Sequence, residues 1–310
     1  MVSSAKCLVV GGSGFLGSHL VDALLEAGHD VVVLDVQPLL DDRRKASASV
    51  AFQRGSFLRE TDVQQAVRGC EFVFHFATTT IPKTSVREPL RDNENIVGTL
   101  TLLKACVEAG VRKLIFPSSG GTMYGEPEYV PIDERHPLKP QSPYAATKIA
   151  IENYLYSYNH LYGLDYCVLR YGNPYGPRQS PTGGMGIVSV FLGLVKKVQP
   201  PTLYGDGSAV RDFFYATDAA RAAVTAMRPT RERIFNIASG TGTSIRDLVA
   251  LLGEVTGQEI RPRFADPLPG DVRSNVLDIS RARQELGWAP KVPLREGLSK
   301  TWEWIRKLEF

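Results

Sequence analysis

The first half of the chain alternates short β-branched runs with stretches whose apolar positions recur at helical spacing. "KCLVVGG" predicts a strand, and "GSHLVDALLEAGH" sets Leu20, Leu24 and Ala27 on a helix that stops near Gly28. "DVVVLD" is nearly continuous in Val, the pattern of a strand buried on both faces. The strand "VAFQRGSF" follows, then a helix around "TDVQQAVRGC", the strand "EFVFHFA", a helix over "NIVGTLTLLKACVEAG" and the strand "KLIFPSS". Strand, helix and strand at this cadence predict right-handed βαβ units and an α/β fold with a doubly wound parallel sheet. After about residue 172 the texture changes. "GNPYGPRQSPTGGMG" and "VQPPTLYGDGSAVRDF" are rich in Pro and Gly, so long loops should join smaller elements. "TSIRDLVALLGEVTG" reads as a helix with Ser244 as its N-cap.

Composition changes this picture little. A chain of 310 residues suits one large or two smaller domains, and 43% hydrophobic with 22% charged residues describes an ordinary globular protein. The net charge of +3 is too weak and too dispersed to call for nucleic acid or an anionic membrane. Cys7, Cys70, Cys106 and Cys167 lie far apart without CxxC spacing. Neither a metal site nor a disulfide framework is expected of them, and buried free thiols in a reducing compartment are. The start "MVSSAKCLVVGG" lacks the apolar core of a signal peptide, and no stretch approaches the ~18 apolar residues of a membrane span. The expectation is a cytoplasmic protein.

Two stretches carry chemistry. "VVGGSGFLGSHL" puts Gly11, Gly14 and Gly17 after the first strand and at a helix start. A pyrophosphate needs this arrangement: a turn without Cβ, close backbone approach and free N–H groups. Asp35 closes the second strand 18 residues beyond Gly17. A carboxylate there binds ribose hydroxyls and repels a 2′-phosphate, favouring NAD over NADP; a strand-end cap is its plainer role. The fold expected is therefore Rossmann-type, with an NAD-binding unit over 1–172 and a smaller, loop-rich α/β unit over 173–310 for the substrate. The segment around 211–240 should pack back on the first unit. In "SPYAATKIAIENYLYSY", Tyr144 and Lys148 stand four apart on one helical face. A buried ammonium beside a phenol should lower the phenol's pKa toward acid–base use; a surface contact is the commoner meaning of such spacing.

Taken together, "GGSGFLG", "HFA" at 75–77, "NENIVGT", "SSGGTMYG", "SPYAATK", "LRYGNPYGPRQ", "GDGSAVRDFFYATDAA" and "LGWAP" resemble the extended short-chain dehydrogenase/reductase family, in its nucleotide-sugar epimerase group. The resemblance spans nearly the whole chain. It implies Tyr144 as general base, with Lys148 on the nicotinamide ribose. It implies Gly11, Gly14, Phe15, Leu16, Gly17 and Asp35 in the cofactor loop, and Ala77, Thr78, Asn95, Ser118 and Tyr171 as later NAD contacts. For the nucleotide-sugar it implies Asn173 and Arg211 on the diphosphate, Tyr204 near the base, and Asp271. Relatives also pair as homodimers through the helices of "NIVGTLTLLKACVEAG" and "AATKIAIENYLYSYNHLYG". His75 falls in the family's H-x-A strand end and reads as structural.

Four departures stand out. Ser56 replaces the usual Asp, and Leu268 an Arg, for which Arg273 is the candidate substitute unless it is simply exposed. Gly120 stands where relatives keep a catalytic hydroxyl, and Gly121-Thr122 lacks the acids that dehydrating and decarboxylating relatives carry. The resemblance thus implies C4 epimerisation through a transient 4-keto sugar, with Thr122 or Ser119 supplying the hydroxyl and Gly120 and Gly121 leaving room for the sugar to turn. A 4-ketoreductase with the same Tyr–Lys pair, or a non-catalytic dinucleotide sensor, are the other readings. The loops 80–90 and 178–200 should read the sugar.

Overall fold

The computed structural model describes residues 4–39, 48–267 and 272–310. Strands β1 (Lys6–Val10), β2 (Asp30–Asp35), β3 (Val50–Arg54), β4 (Phe72–His75), β5 (Lys113–Ser119) and β6 (Asp165–Tyr171) alternate with helices. These are α1 (Phe15–Glu26), α2 (Glu60–Val67), α3 (Pro82–Arg87), α4 (Asp92–Glu108) and α5 (Pro143–Tyr162). The rest of the chain adds β7 (Asn173–Tyr175), α6 (Ile187–Lys196), β8 (Thr202–Tyr204), β9 (Val210–Arg211), β10 (Phe213–Tyr215) and α7 (Ala216–Thr225). It ends with β11 (Ile234–Ile237), β12 (Thr243–Ser244), α8 (Ile245–Thr256), β13 (Arg263–Ala265), β14 (Ser274–Asn275) and α9 (Leu294–Ile305).

Seven strands pair in the order β11-β6-β5-β4-β1-β2-β3, all parallel. The chain winds from β1 outward to β3, then crosses to β4 on the other side of β1. That reversal opens a crevice at the carboxyl ends of β1 and β4, where an open α/β sheet takes its ligand. The β-branched runs are buried on both faces because helices cover both. On one face Leu20 and Leu24 of α1 pack with Ala219 and Ala223 of α7 against Val9 and Val33. On the other, Val63, Leu102, Leu103, Ile151 and Leu155 pack against Leu8, Val73 and Leu114. A third cluster joins Phe191 and Leu192 of α6, Leu248 and Leu252 of α8, and Leu298 of α9. The residues 216–237 belong to the sheet body, since α7 lies on α1 and β11 pairs with β6.

Helix starts show why local polarity matters. The Ser244 hydroxyl accepts the Asp247 N–H at 3.0 Å, the N-cap expected of it. Helix α4 begins at Asp92, three residues before the apolar pattern announces it. Asp92 and Glu94 suit the positive end of the helix dipole, a polar first turn that hydrophobic periodicity does not register. All four cysteines are free and buried, and burial pushes their thiols well above the ordinary range.

Candidate active site

Gly11, with φ 87°, turns the chain from β1 toward α1. A Cβ there would come within 2.6 Å of Ala77 N at the exit of β4, and a Cβ on Gly17 within 2.0 Å of Gly11 O. Neither position tolerates a side chain, so backbone alone faces the crevice. The Asp35 carboxylate is fixed beside this turn, accepting the Ser13 and Gln37 N–H groups, each at 2.9 Å. A bare-backbone turn, a helix N-terminus and a carboxylate one strand over fit an adenine dinucleotide with a free ribose 2′-hydroxyl. Ser56, in the place of the family's Asp, also faces the crevice; its N–H donates to Asp62 Oδ2 at 2.9 Å.

The crevice is a cavity of about 760 Å³. Of the residues singled out in the sequence, Gly11, Gly14, Phe15, Leu16, Gly17, Asp35, Ala77, Thr78, Ser118, Ser119, Thr122, Tyr144, Lys148, Tyr171 and Asn173 border it. Some of their polar atoms are already engaged. The Tyr171 phenol donates to Ala219 O at 3.0 Å, and Thr78 Oγ1 to Thr80 O at 2.9 Å. Asn95 is set behind: its Oδ1 accepts the Thr79 N–H at 2.8 Å and its Nδ2 donates to Thr80 Oγ1 at 3.0 Å, so it braces the 78–80 segment. Asn173 Nδ2, on the cavity wall, is a buried donor with no hydrogen-bond partner among the described residues.

Tyr144 and Lys148 lie one turn apart at the start of α5, whose N-terminus is capped by the Ser142 hydroxyl accepting the Ala145 N–H at 3.2 Å. The Lys148 ammonium donates to Pro117 O at 2.9 Å and stands over the Phe116 ring at 4.3 Å, against 5.7 Å to the Tyr144 ring. Burial pulls Lys148 down to about 8, partly offset by the Glu152 carboxylate. Burial also pushes Tyr144 up to about 12, with Asp92 adding to the rise. The expected lowering of the phenol by its lysine is thus corrected. The ammonium is turned to Pro117 and Phe116, and desolvation of the phenolate dominates.

The stretch 118–122 also reads differently in three dimensions. Alternation along β5 sends Ser118 inward, where its hydroxyl donates to Met123 Sδ at 3.0 Å. Gly120 continues the ladder, its N–H donating to Tyr171 O at 2.8 Å, and a Cβ on it would meet Leu277 Cδ1 at 2.5 Å. Gly120 therefore faces the core, and only Gly121 enlarges the cavity, its Cβ position lying 3.9 Å from Asn173 Nδ2. Ser119 faces the cavity, and Thr122 Oγ1 donates to Ser119 Oγ at 2.8 Å. No acidic side chain occupies 120–122.

The remaining candidates lie elsewhere. Tyr204 is exposed, and Arg211 Nη1 donates to Val210 O at 2.9 Å and Val272 O at 2.7 Å. Arg273 is exposed, with its N–H on Glu126 Oε2 at 3.1 Å. None of the three borders the cavity. Asp271 and position 268 lie outside the described residues. No motif in the sequence singles out an individual residue of the far wall, which Gln179, Met185, Ile187, Val188 and Phe213 help to form. The first four lie within the 178–200 stretch expected to read the sugar, and Pro82 borders the cavity from the 80–90 stretch.

Comparison with known proteins gives a consistent set. The NAD dependent epimerase/dehydratase family model matches residues 7–238. The chain is 40% identical over 311 residues to a UDP-glucose 4-epimerase of Mycolicibacterium smegmatis, covering 97% of this chain and 98% of that one. It superimposes on the UDP-glucose 4-epimerase of Thermotoga maritima, solved with UDP-glucose, with a TM-score of 0.92 and 41% identity, over 97% and 99% of the two chains. The UDP-glucose 4-epimerase of Thermus thermophilus, solved with NAD, gives a TM-score of 0.89 and 40% identity over the same shares.

Proposed function

The chain belongs to the NAD dependent epimerase/dehydratase family, and we propose that it is a nucleotide-sugar 4-epimerase that retains NAD and acts on a UDP-hexose. One observation carries the reading. A single cavity joins the dinucleotide cradle to Tyr144, Lys148 and the Ser119–Thr122 hydroxyl pair, with no carboxylate at 120–122. When bound, NAD supplies a hydride acceptor and donor for C4 of the sugar and, while oxidised, a positive charge beside Tyr144. Tyr144 takes the proton of the sugar 4-hydroxyl and returns it after the 4-keto sugar has turned. The open side at Gly121 is where that turn is accommodated, and Asn173 Nδ2 donates to the diphosphate. The names of the relatives favour epimerisation over keto-reduction, and a sensor has no need of the proton-transfer set.

The test begins with purified protein, which on denaturation should release about one NAD per chain. Without added cofactor, the native protein should interconvert UDP-glucose and UDP-galactose. Turnover only with a keto sugar and added reduced cofactor would replace the proposal with the reductase. The same preparation should behave as a homodimer in light scattering. Val97 of α4 and Tyr156 and Leu161 of α5 are 61%, 64% and 65% exposed, an apolar face that a second copy would cover. We assign the protein to the cytoplasm on its buried free thiols; among the described residues no helix is long and apolar enough to cross a membrane.

The hydroxyl pair gives a graded prediction. Thr122 spends its proton on Ser119, so Ser119 keeps its own proton for the substrate oxygen. Ser119→Ala should lower kcat by about 10²-fold, the cost of losing one donor aimed at developing charge. Thr122→Ala should cost only about fivefold, one neutral hydrogen bond at second remove. The reverse order in steady-state kinetics would return the direct contact to Thr122.

A further inference from the structure

His75 ends β4 and is 1% exposed, packed between the rings of Phe57 and Phe116. Packing alone accounts for an aromatic ring there, not for its nitrogens. His75 Nε2 lies 2.9 Å from Thr99 Oγ1. That hydroxyl donates its own proton to Asn95 O at 2.6 Å, so it accepts from His75, and the ring proton sits on Nε2. Nδ1 is then a bare acceptor, buried and without a hydrogen-bond partner among the described residues, a costly condition if nothing donates to it. Burial, with the Lys148 charge second, pushes His75 down to about 3, so the ring stays neutral throughout the working range.

Beside the ring lies a second, small cavity of about 10 Å³, lined among others by His75, Thr99, Tyr144, Thr147 and Lys148. Its size admits one water, which needs two to four polar partners to be held. Lys148 supplies a donor from the α5 side. An ammonium has three N–H groups, and among the described residues this one has a single acceptor, Pro117 O, and the Phe116 ring face.

We propose that this chamber is a water site and that His75 is a positioning residue for Lys148: one water accepts from the Lys148 ammonium and donates to His75 Nδ1. The bridge gives the buried Nδ1 its donor and takes one N–H of the ammonium, beside the one on Pro117 O, leaving the third for the nicotinamide ribose. It favours the charged form of Lys148 against the burial that opposes it. The other groups that bear on Lys148 are Tyr144 and Glu152 of α5, with Glu152 paired to Arg170 of β6. Asp92 of α4 acts on Tyr144, and β5 offers Lys148 only Phe116 and the Pro117 carbonyl.

Two arms test this, and only the second rests on the proposed function. Nitrogen-15 histidine NMR of the whole protein should show Nε2 protonated and Nδ1 bare, with a long-lived water signal beside the ring. A proton on Nδ1, or no such water, overturns the proposal whatever the activity. In the second arm the alkaline limb of kcat/KM, the pH at which its rise levels off as Lys148 loses its proton, is compared among the wild type, His75→Leu and His75→Gln. Losing the acceptor in His75→Leu should move the limb about one pH unit lower with KM little changed, while the Gln amide oxygen should hold it in place. An unmoved limb in folded His75→Leu, or equal shifts in both variants, would leave the residue to packing alone. If neither variant folds or turns over, the NMR arm decides.

Discussion

Replacing Tyr144 with phenylalanine should lower turnover by about 10³-fold, the scale of a lost general acid–base group, while bound NAD and sugar-nucleotide affinity stay nearly unchanged. The change removes one oxygen and keeps the ring, so the N-cap at Ser142 and the Lys148 contact with that ring survive. The expectation is strong because the phenol faces the cavity at the one place where the cradle and the substrate end meet. Its pH behaviour follows from the same geometry. Burial holds the free-protein phenol near 12, so the basic form is scarce at neutral pH and gains with rising pH. Lys148, drawn down to about 8 by burial, loses its charge over the same climb. The kcat/KM profile should therefore rise from the acid side and level off above about pH 8, where the loss of the Lys148 proton cancels the gain in phenolate. A steady-state assay of Tyr144→Phe that keeps a tenth or more of wild-type turnover would remove this residue from proton transfer.

What the sequence revealed and what it hid divide along physical lines. The Gly11–Gly17 turn was legible because its demand is on the backbone, and glycines after a Val-rich strand announce it directly. Tyr144 and Lys148 were legible as a pair because helical spacing fixes their shared face. The direction of the phenol's pKa was not, since it depends on where the ammonium points, and Pro117 and Phe116 decide that from another strand. Gly120 shows the same limit. Read as a linear motif, "SSGGTMYG" has lost a hydroxyl at Gly120. In the sheet, the alternation of β5 turns that position onto Leu277, more than 150 residues later, and leaves Ser119 facing the cavity. Arg211 carried a family pattern, yet its guanidinium is bound to the Val210 and Val272 carbonyls away from the cavity. Contacts of that range have no local signature.

The second large effect lies behind the site, in a pair without a local signature along the chain. Arg170 of β6 and Glu152 of α5 meet through Nη2–Oε2 at 2.7 Å and Nε–Oε1 at 3.2 Å, with side chains 4% and 6% exposed. Arg170 Nη1 also donates to the Tyr124 phenol at 3.0 Å, which donates to Asn236 Oδ1 at 2.7 Å. The network thus ties the Tyr144–Lys148 helix to β6, β11 and the loop that follows Thr122. Arg170→Met should destabilise the fold by about 3–5 kcal/mol in urea unfolding, because it leaves the Glu152 carboxylate buried without its partner. The double variant Arg170→Met/Glu152→Leu should recover much of that loss, since no unpaired charge remains and the volumes are similar. Activity should not recover with it. Glu152 is the carboxylate that offsets the desolvation of Lys148, so the double variant's alkaline limb should stay shifted to lower pH. A double variant with both stability and limb restored would show that the pair serves packing alone. A single variant costing under about 1 kcal/mol would show that solvent reaches the pair, as it does for surface ion pairs.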